Sequence, residues 1–224
     1  MKITAVILGG GRGLRTGFTQ PKQFLSLGGR PLFDYSVEKF MSAGVDTMVA
    51  VLVEDYASYY QPHPAITRIA PAGATRQQSV FNGLQACPAD TDIVIIHDSA
   101  RPFFPPTAVK KAIELLAQGK YEGLALAIPA TDTLVEIKEG EIVRFPERSA
   151  FFHTQTPQLF FFKKFWPACQ KFQDENFTDD LSLAFAAGLQ CGLVEGSRLN
   201  FKITTELDWL MAEKILNSGG LELI

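Results

Sequence analysis

Short apolar runs alternate with amphipathic segments along most of the chain, and this alternation restricts the fold more than any other feature. Residues 3–8, 47–53, 93–97, 124–128 and 192–195 are apolar runs of strand length, several of them unbroken enough to be covered on both faces. Between them, residues 32–43, 75–86, 106–118, 179–187 and 206–216 carry helical spacing. Gly44, Gly119 and Gly188 follow three of these segments, where a helix commonly ends in a left-handed residue. Such alternation predicts an α/β fold: a Rossmann-like, mostly parallel twisted sheet with helices on both faces. Ligands bind beyond the carboxyl ends of the strands in open sheets of this kind. That rule singles out the loop after Leu8 and the residues after Ile96.

One stretch breaks the pattern. Residues 133–137 and 141–145 flank Lys138-Glu139-Gly140 and read as a β-hairpin. A two-stranded hairpin is marginal by itself in water, so this one needs a support such as a second subunit. With no repeat, low-complexity tract or linker, residues 1–224 are expected to form a single domain carrying a protruding arm at about 131–155.

Composition narrows the function classes. The formal net charge is −3, which argues against a broad nucleic-acid or anionic-membrane surface but leaves room for a local basic pocket. Cys87, Cys169 and Cys191 are isolated, without metal-ligand spacing, and suit a reducing compartment. The first residues run into glycines too soon for a secretory h-region, and no stretch reaches membrane-spanning length. A cytoplasmic protein that binds neither nucleic acid nor membrane is therefore expected. The phenylalanine-rich FFHTQTPQLFFF (151–162) reads as core or subunit interface.

The first switch-point loop is GGGRGLRTGFTQPKQ, residues 9–23. It is not a P-loop, because GxxxxGK[ST] does not occur. It also departs from the dinucleotide fingerprint GxGxxG: after Gly11 and Gly13 the third position is Thr16, and the expected acidic residue is far off, at Glu54. Glycines let backbone N–H groups approach phosphate oxygens closely. Arg15 and Lys22 add full positive charges to the same loop, which a reaction at phosphorus needs and a hydride transfer does not. The second loop, DIVIIHDSARPF (92–103), sets Asp98 and Arg101 just past a strand. Asp98 is a natural Mg²⁺ ligand beside substrate phosphates, and Arg101 suits a second phosphate. His97 reads as a buried strand-end histidine rather than a catalyst. A polyphosphate, a divalent cation and a second anion form the inventory of a nucleotidyltransferase.

Seven motifs occur in order: GGGRGLR…PKQFLSLGGRPL, AGATRQQSVFNGL, IHDSARPF, PATDT, TQTPQ, TDD and LVEG…NFKIT. With them the chain resembles the 2-C-methyl-D-erythritol 4-phosphate cytidylyltransferase family of the non-mevalonate isoprenoid pathway, from Ala5 to about Leu216. The resemblance implies CMP transfer from CTP to 2-C-methyl-D-erythritol 4-phosphate, with Mg²⁺ or another divalent cation. The alternative within the same motif order is a cytidylyltransferase acting on ribitol 5-phosphate. Catalysis falls to Arg15, Lys22 and Lys202 by this resemblance, and CTP binding to Gly9, Gly10, Gly11, Gly73, Ser79 and Asp98. Asp98 would also hold the metal. Arg101, Thr133, Arg148 and Thr178 would line the polyol phosphate site. The resemblance further makes the 131–155 arm a dimerisation device, Thr133 and Arg148 completing the partner subunit's site in a homodimer.

The chain departs from the family's habits at Gly9 and Gly10, where alanines are frequent, and at Leu14, where a second basic residue is common. Thr16, Ser99 and Glu147 also differ from the usual methionine, alanine and aspartate. None of these changes removes a proposed catalytic group.

Overall fold

The computed structural model describes residues 1–11 and 20–219. The chain starts with β1 (Ile3–Gly9), the short hairpin strands β2 (Ser26–Leu27) and β3 (Arg30–Pro31), and α1 (Leu32–Ala43). It continues through β4 (Thr47–Leu52), β5 (Arg68–Pro71), α2 (Arg76–Gln85), β6 (Ile93–Asp98), α3 (Pro106–Ala117) and β7 (Gly123–Pro129). Next come β8 (Glu136–Lys138), β9 (Glu141–Arg144), β10 (Phe152–Phe161), α4 (Phe162–Lys171), α5 (Asp180–Ala186), β11 (Cys191–Glu195) and α6 (Glu206–Asn217).

The central sheet has seven strands in the order β11-β7-β10-β6-β1-β4-β5. All neighbours are parallel except β10, which runs antiparallel to both β6 and β7. From β1 the chain winds outward to β4 and β5, then returns to place β6 on β1's other side. The winding direction therefore reverses between β1 and β6, the position where open α/β sheets leave a crevice. Leu8 pairs with Asp98 in this register, so the glycine loop and the Asp98 loop leave the sheet side by side.

Period-two alternation assigns β1 to two cores. Ile3, Ala5 and Ile7 pack with Phe33, Val37 and Phe40 of α1 and Val109, Ala112 and Leu116 of α3. Val6 and Leu8 point the other way, toward Val80 and Leu84 of α2, Phe165 of α4 and Leu183 of α5. A third, smaller cluster joins Leu27 and Leu32 to Phe103, Ile203 and Trp209, anchoring α6 and the segment before it. The helix boundaries have local causes. Thr75 caps α2, Asp179 and Thr205 form capping boxes with Ser182 and Asp208, and α1 ends at Gly44 with φ 80°.

The expected α/β architecture and the hairpin are present. The arm forms as β8 and β9, paired antiparallel in a sheet of their own. The two-residue strands β2 and β3, and also β5, α4 and β10, are not evident from the apolar pattern. β5 has three exposed residues out of four, so its apolar signal is faint. α4 carries Pro167 and opens directly from a phenylalanine run, which blurs the change of period. β10 is the segment read as core or interface: it is buried core from Gln155 to Phe160 and exposed at its arm-proximal end. No α-helix separates β7 from β10, only the hairpin and a single 3-10 turn at Arg148–Ala150, so β10 returns antiparallel.

Gly83 sets how closely α2 lies on the sheet. A Cβ there would meet Val6 Cγ1 at 2.3 Å and Val51 Cγ2 at 2.8 Å. Gly83→Ala is expected to lose about 1–3 kcal/mol through overpacking, read as a lower urea midpoint with unchanged slope.

Candidate active site

A cavity of about 800 Å³ opens at the switch point. Its walls come from five pieces of chain: Leu8 to Gly11 at the end of β1, Lys22 and Gln23, residues between Ala72 and Ser79 around the start of α2, Asp98 to Ala100, and Lys202 with Thr204. Each wall is held by its own hydrogen bonds. Gln23 Nε2 donates to Gly9 O at 2.6 Å, and Ser99 Oγ donates to Leu8 O at 2.7 Å. Ser79 Oγ accepts from Gly73 N at 2.9 Å and donates to Thr75 O at 2.9 Å, curling residues 73–75 over the first turn of α2. Backbone N–H groups at a helix start favour an anion.

The charged groups are arranged around one carboxylate. Asp98 is buried, and its Oδ1 accepts from Arg76 Nε at 3.0 Å while its Oδ2 accepts from Lys202 Nζ at 2.6 Å. Burial would raise the Asp98 carboxyl, but Arg76 and Lys202 outweigh it and hold it well below the usual carboxylate range. Arg76 also donates from Nη2 to Asp180 Oδ2 at 2.8 Å. Burial works against the Arg76 cation, and Asp180 and Asp98 overcome it and keep the guanidinium charged. Asp180 itself is raised, chiefly by burial, with Arg76 pulling it back only in part. Lys22 Nζ donates to Ile203 O, which aims a further cation at the same wall.

His97 is fully buried between the rings of Phe40 and Phe104. Desolvation pushes it down to about 3, so it is neutral and takes no part as an acid or base at physiological pH. Its ring nitrogen Nδ1 lies 3.1 Å from Thr156 Oγ1.

Of the residues named from sequence, Gly9, Gly10, Gly11, Lys22, Gly73, Ser79, Asp98 and Lys202 all lie on the cavity wall. Arg15 lies outside the described residues. Arg101 does not line the cavity wall formed by the described residues. Its Nη1 donates to Asn200 O at 2.8 Å. Together with Ile203 N donating to Ala100 O at 2.8 Å, that bond ties the Asp98 loop to residues 200–203 and so brings Lys202 to Asp98. Thr133, Arg148 and Thr178 are exposed and do not line the cavity wall formed by the described residues of their own chain. Arg148 Nη1 donates to Thr131 O at 2.6 Å, and Thr178 Oγ1 to Ser182 Oγ at 3.3 Å.

Sequence reasoning missed Arg76, Asp180, Gln23 and Thr204. A signal for Arg76 was present. A cation in the first turn of a helix opposes the macrodipole, so its presence asks for carboxylate partners.

The donor set also bears on a metal. Asp98 is the only carboxylate on the cavity wall among the described residues, and they contain no group of three or more His, Cys, Asp or Glu placed to hold an ion. That set does not fit a cage made of protein alone. It fits a magnesium-type cation shared with substrate phosphates, which takes one or two carboxylates from the protein.

Cations converging on a glycine-lined crevice, beside the first strand of a doubly wound sheet, define a nucleotide-binding α/β protein of the nucleotidyltransferase class. The family model for 2-C-methyl-D-erythritol 4-phosphate cytidylyltransferase (IspD) matches residues 3–218. The protein of that name from Aquifex aeolicus is 43% identical over 216 residues, covering 95% of this chain and 97% of its own. The 4-diphosphocytidyl-2C-methyl-D-erythritol synthase structure from Anaerococcus prevotii superposes with a TM-score of 0.82 at 25% identity, covering 96% of this chain and 98% of its own. The 2-C-methyl-D-erythritol 4-phosphate cytidylyltransferase structure from Thermus thermophilus gives a TM-score of 0.78 at 29% identity, covering 97% and 100%. The chain belongs to the 2-C-methyl-D-erythritol 4-phosphate cytidylyltransferase family.

The two cations on Asp98 should differ in structural weight. Arg76→Met leaves Asp180 buried without its partner and is expected to cost about 3 kcal/mol in urea unfolding. Lys202→Met, at a more exposed position where Asp98 keeps Arg76, should stay within about 1 kcal/mol of the parent.

Proposed function

We infer that this chain transfers CMP from CTP to 2-C-methyl-D-erythritol 4-phosphate, giving 4-diphosphocytidyl-2-C-methyl-D-erythritol and pyrophosphate. The convergence of Lys22, Arg76 and Lys202 around Asp98 on a glycine-lined cavity carries the reading. Membership of the family favours methylerythritol phosphate over ribitol 5-phosphate.

The cavity walls divide the work. The backbone of Gly9, Gly10 and Gly11 receives the nucleotide, and Gly73 and Ser79 hold its base and ribose end. A phosphate oxygen of the polyol phosphate attacks the α-phosphorus of CTP. The bond from that phosphorus to its bridging oxygen breaks, and pyrophosphate leaves with the electron pair. The attacking oxygen is already an anion, so no general base is required. The obstacle is repulsion between two polyanions, and Lys22, Lys202 and Arg15 act against it where charge builds. Asp98 would hold Mg²⁺ or another divalent cation together with the phosphates; when bound, that cation neutralises charge between the two substrates. Asp98 also keeps Lys202 at the cavity before substrate arrives. Arg101 anchors residues 200–203 through Asn200 O and would face the polyol phosphate.

Residues 1–224 act in this reading as one nucleotidyltransferase domain, and the arm at about 131–155 joins two copies. Support comes from the arm's surface: Ile137, Ile142 and Phe145 are 59%, 57% and 67% exposed. An apolar hairpin of that kind in water is marginal, and a second copy would cover it. Thr133 and Arg148 would then reach the partner subunit's cavity, with Thr178 at the same polyol phosphate site. The three cysteines are free thiols, which suits a cytoplasmic setting.

Pyrophosphate release measured with CTP, Mg²⁺ and each polyol phosphate in turn tests the substrate, with methylerythritol phosphate expected to be strongly preferred. Equal or better turnover of ribitol 5-phosphate would reverse the assignment. Lys22→Ala should keep the fold by circular dichroism and lose turnover by about 10²–10³. Replacing Ile137, Ile142 and Phe145 together by serine should convert a dimer to a monomer in sedimentation and abolish activity. A fully active monomer would refute the role of the arm.

A further inference from the structure

The Thr178-Asp179-Asp180 run contains two adjacent carboxylates that do different things. Asp179 is the N-cap of α5: its Oδ1 accepts from Ser182 N at 2.8 Å. Its Oδ2 accepts from Gln158 Nε2 at 2.8 Å and Thr154 Oγ1 at 3.1 Å. Those bonds build the helix start and tie it to β10. Asp180 turns inward and is 4% exposed. Capping does not require it, and a buried carboxylate is costly without a partner. Its partner is Arg76 Nη2, and Arg76 Nε in turn holds Asp98 Oδ1.

Asp180, Arg76, Asp98 and Lys202 therefore form a line of alternating charge. Its members come from the start of α5, the start of α2, the end of β6 and the segment before α6. Arg76, Asp98 and Lys202 line the nucleotide cavity. Asp180 does not; it stands behind Arg76, on the wall of a separate cavity of about 430 Å³.

The Nε and Nη2 edge of a guanidinium is a planar fork that pairs bidentately with a single carboxylate when one is available. In this chain the fork is split between two carboxylates. We propose that Asp180 is a positioning residue for the transfer reaction: by occupying Nη2, it stops Arg76 from closing on both oxygens of Asp98. Asp98 Oδ2 is thereby kept for Lys202 and for a cation shared with the phosphates. The proposal rests on the nucleotidyltransferase reading above.

The test compares the parent with Asp180→Asn, which keeps the shape and removes the charge. Three quantities are measured: pyrophosphate release against Mg²⁺ and CTP concentration, the calorimetric affinity for Mg²⁺ in the presence of CTP, and the thermal midpoint. Outer-shell partners of a metal site commonly contribute about 10–100-fold. Asp180→Asn should accordingly lower kcat and weaken Mg²⁺ affinity by about tenfold or more, with KM for CTP within about twofold. Adding Asp180→Asn to Asp98→Asn should change neither quantity further, because the effect runs through Asp98. A fall in thermal midpoint alone, with kcat and Mg²⁺ affinity at parental values, would overturn the proposal. So would independent, multiplying losses in the double variant. Should Asp180→Asn not fold, Arg76→Lys carries the test: a point charge has no fork to close on Asp98, so Mg²⁺ affinity should stay within about twofold of the parent, and a tenfold loss refutes the idea. Parental enzyme inactive on every polyol phosphate would instead defeat the functional reading, while the Mg²⁺ calorimetry with CTP would still report on Asp180.

Discussion

A single buried negative charge organises this site. Asp98 sits at the carboxyl end of β6, opposite Leu8 of β1, where the sheet changes its winding direction. Its charge is tolerable there only because Arg76 and Lys202 take one oxygen each. Those two cations come from chain segments more than a hundred residues apart, so the ion cluster also fixes how the start of α2 meets the segment before α6. Remove the carboxylate and two cations would face each other across an empty wall.

The surrounding packing makes that cluster rigid. Gly83 lets α2 lie close against Val6 and Val51, which sets the height of Arg76 above the sheet. The third hydrophobic cluster, around Leu27, Phe103, Ile203 and Trp209, holds residues 200–205 in place, with Arg101 pinning Asn200 O. The cavity is thus pre-organised by apolar packing on one side and by backbone hydrogen bonds on the other. Pre-organised cations cost no rearrangement when charge develops, which is how a site without a general base accelerates transfer at phosphorus.

Much of the fold was legible because its signals are local. Residue 32–43 periodicity matches α1 end for end, and Gly44, Gly119 and Gly188 all adopt positive φ as helix-ending residues do. The arm was legible from its alternation around Lys138-Glu139-Gly140, and Glu139 and Gly140 do carry the positive φ of a tight turn. β10 was not, because FFHTQTPQLFFF is apolar enough for strand or helix and its direction depends on what precedes it. Within the site, Lys22 and Asp98 were visible from their place after strands. Arg101 also follows a strand, and its bond to Asn200 O is a detail that position alone does not reveal.

The sequence by itself determined the doubly wound architecture, the two switch-point loops, and a chemistry of fixed cations and one carboxylate. These follow from periodicity, glycine placement and charge, which act over a few neighbouring residues. Only the tertiary structure decided that Arg76 joins Asp98 to Asp180 and that Arg101 holds Asn200 O. Whether a buried charge is paired depends on residues far apart in the chain, and no local pattern records which of them will meet.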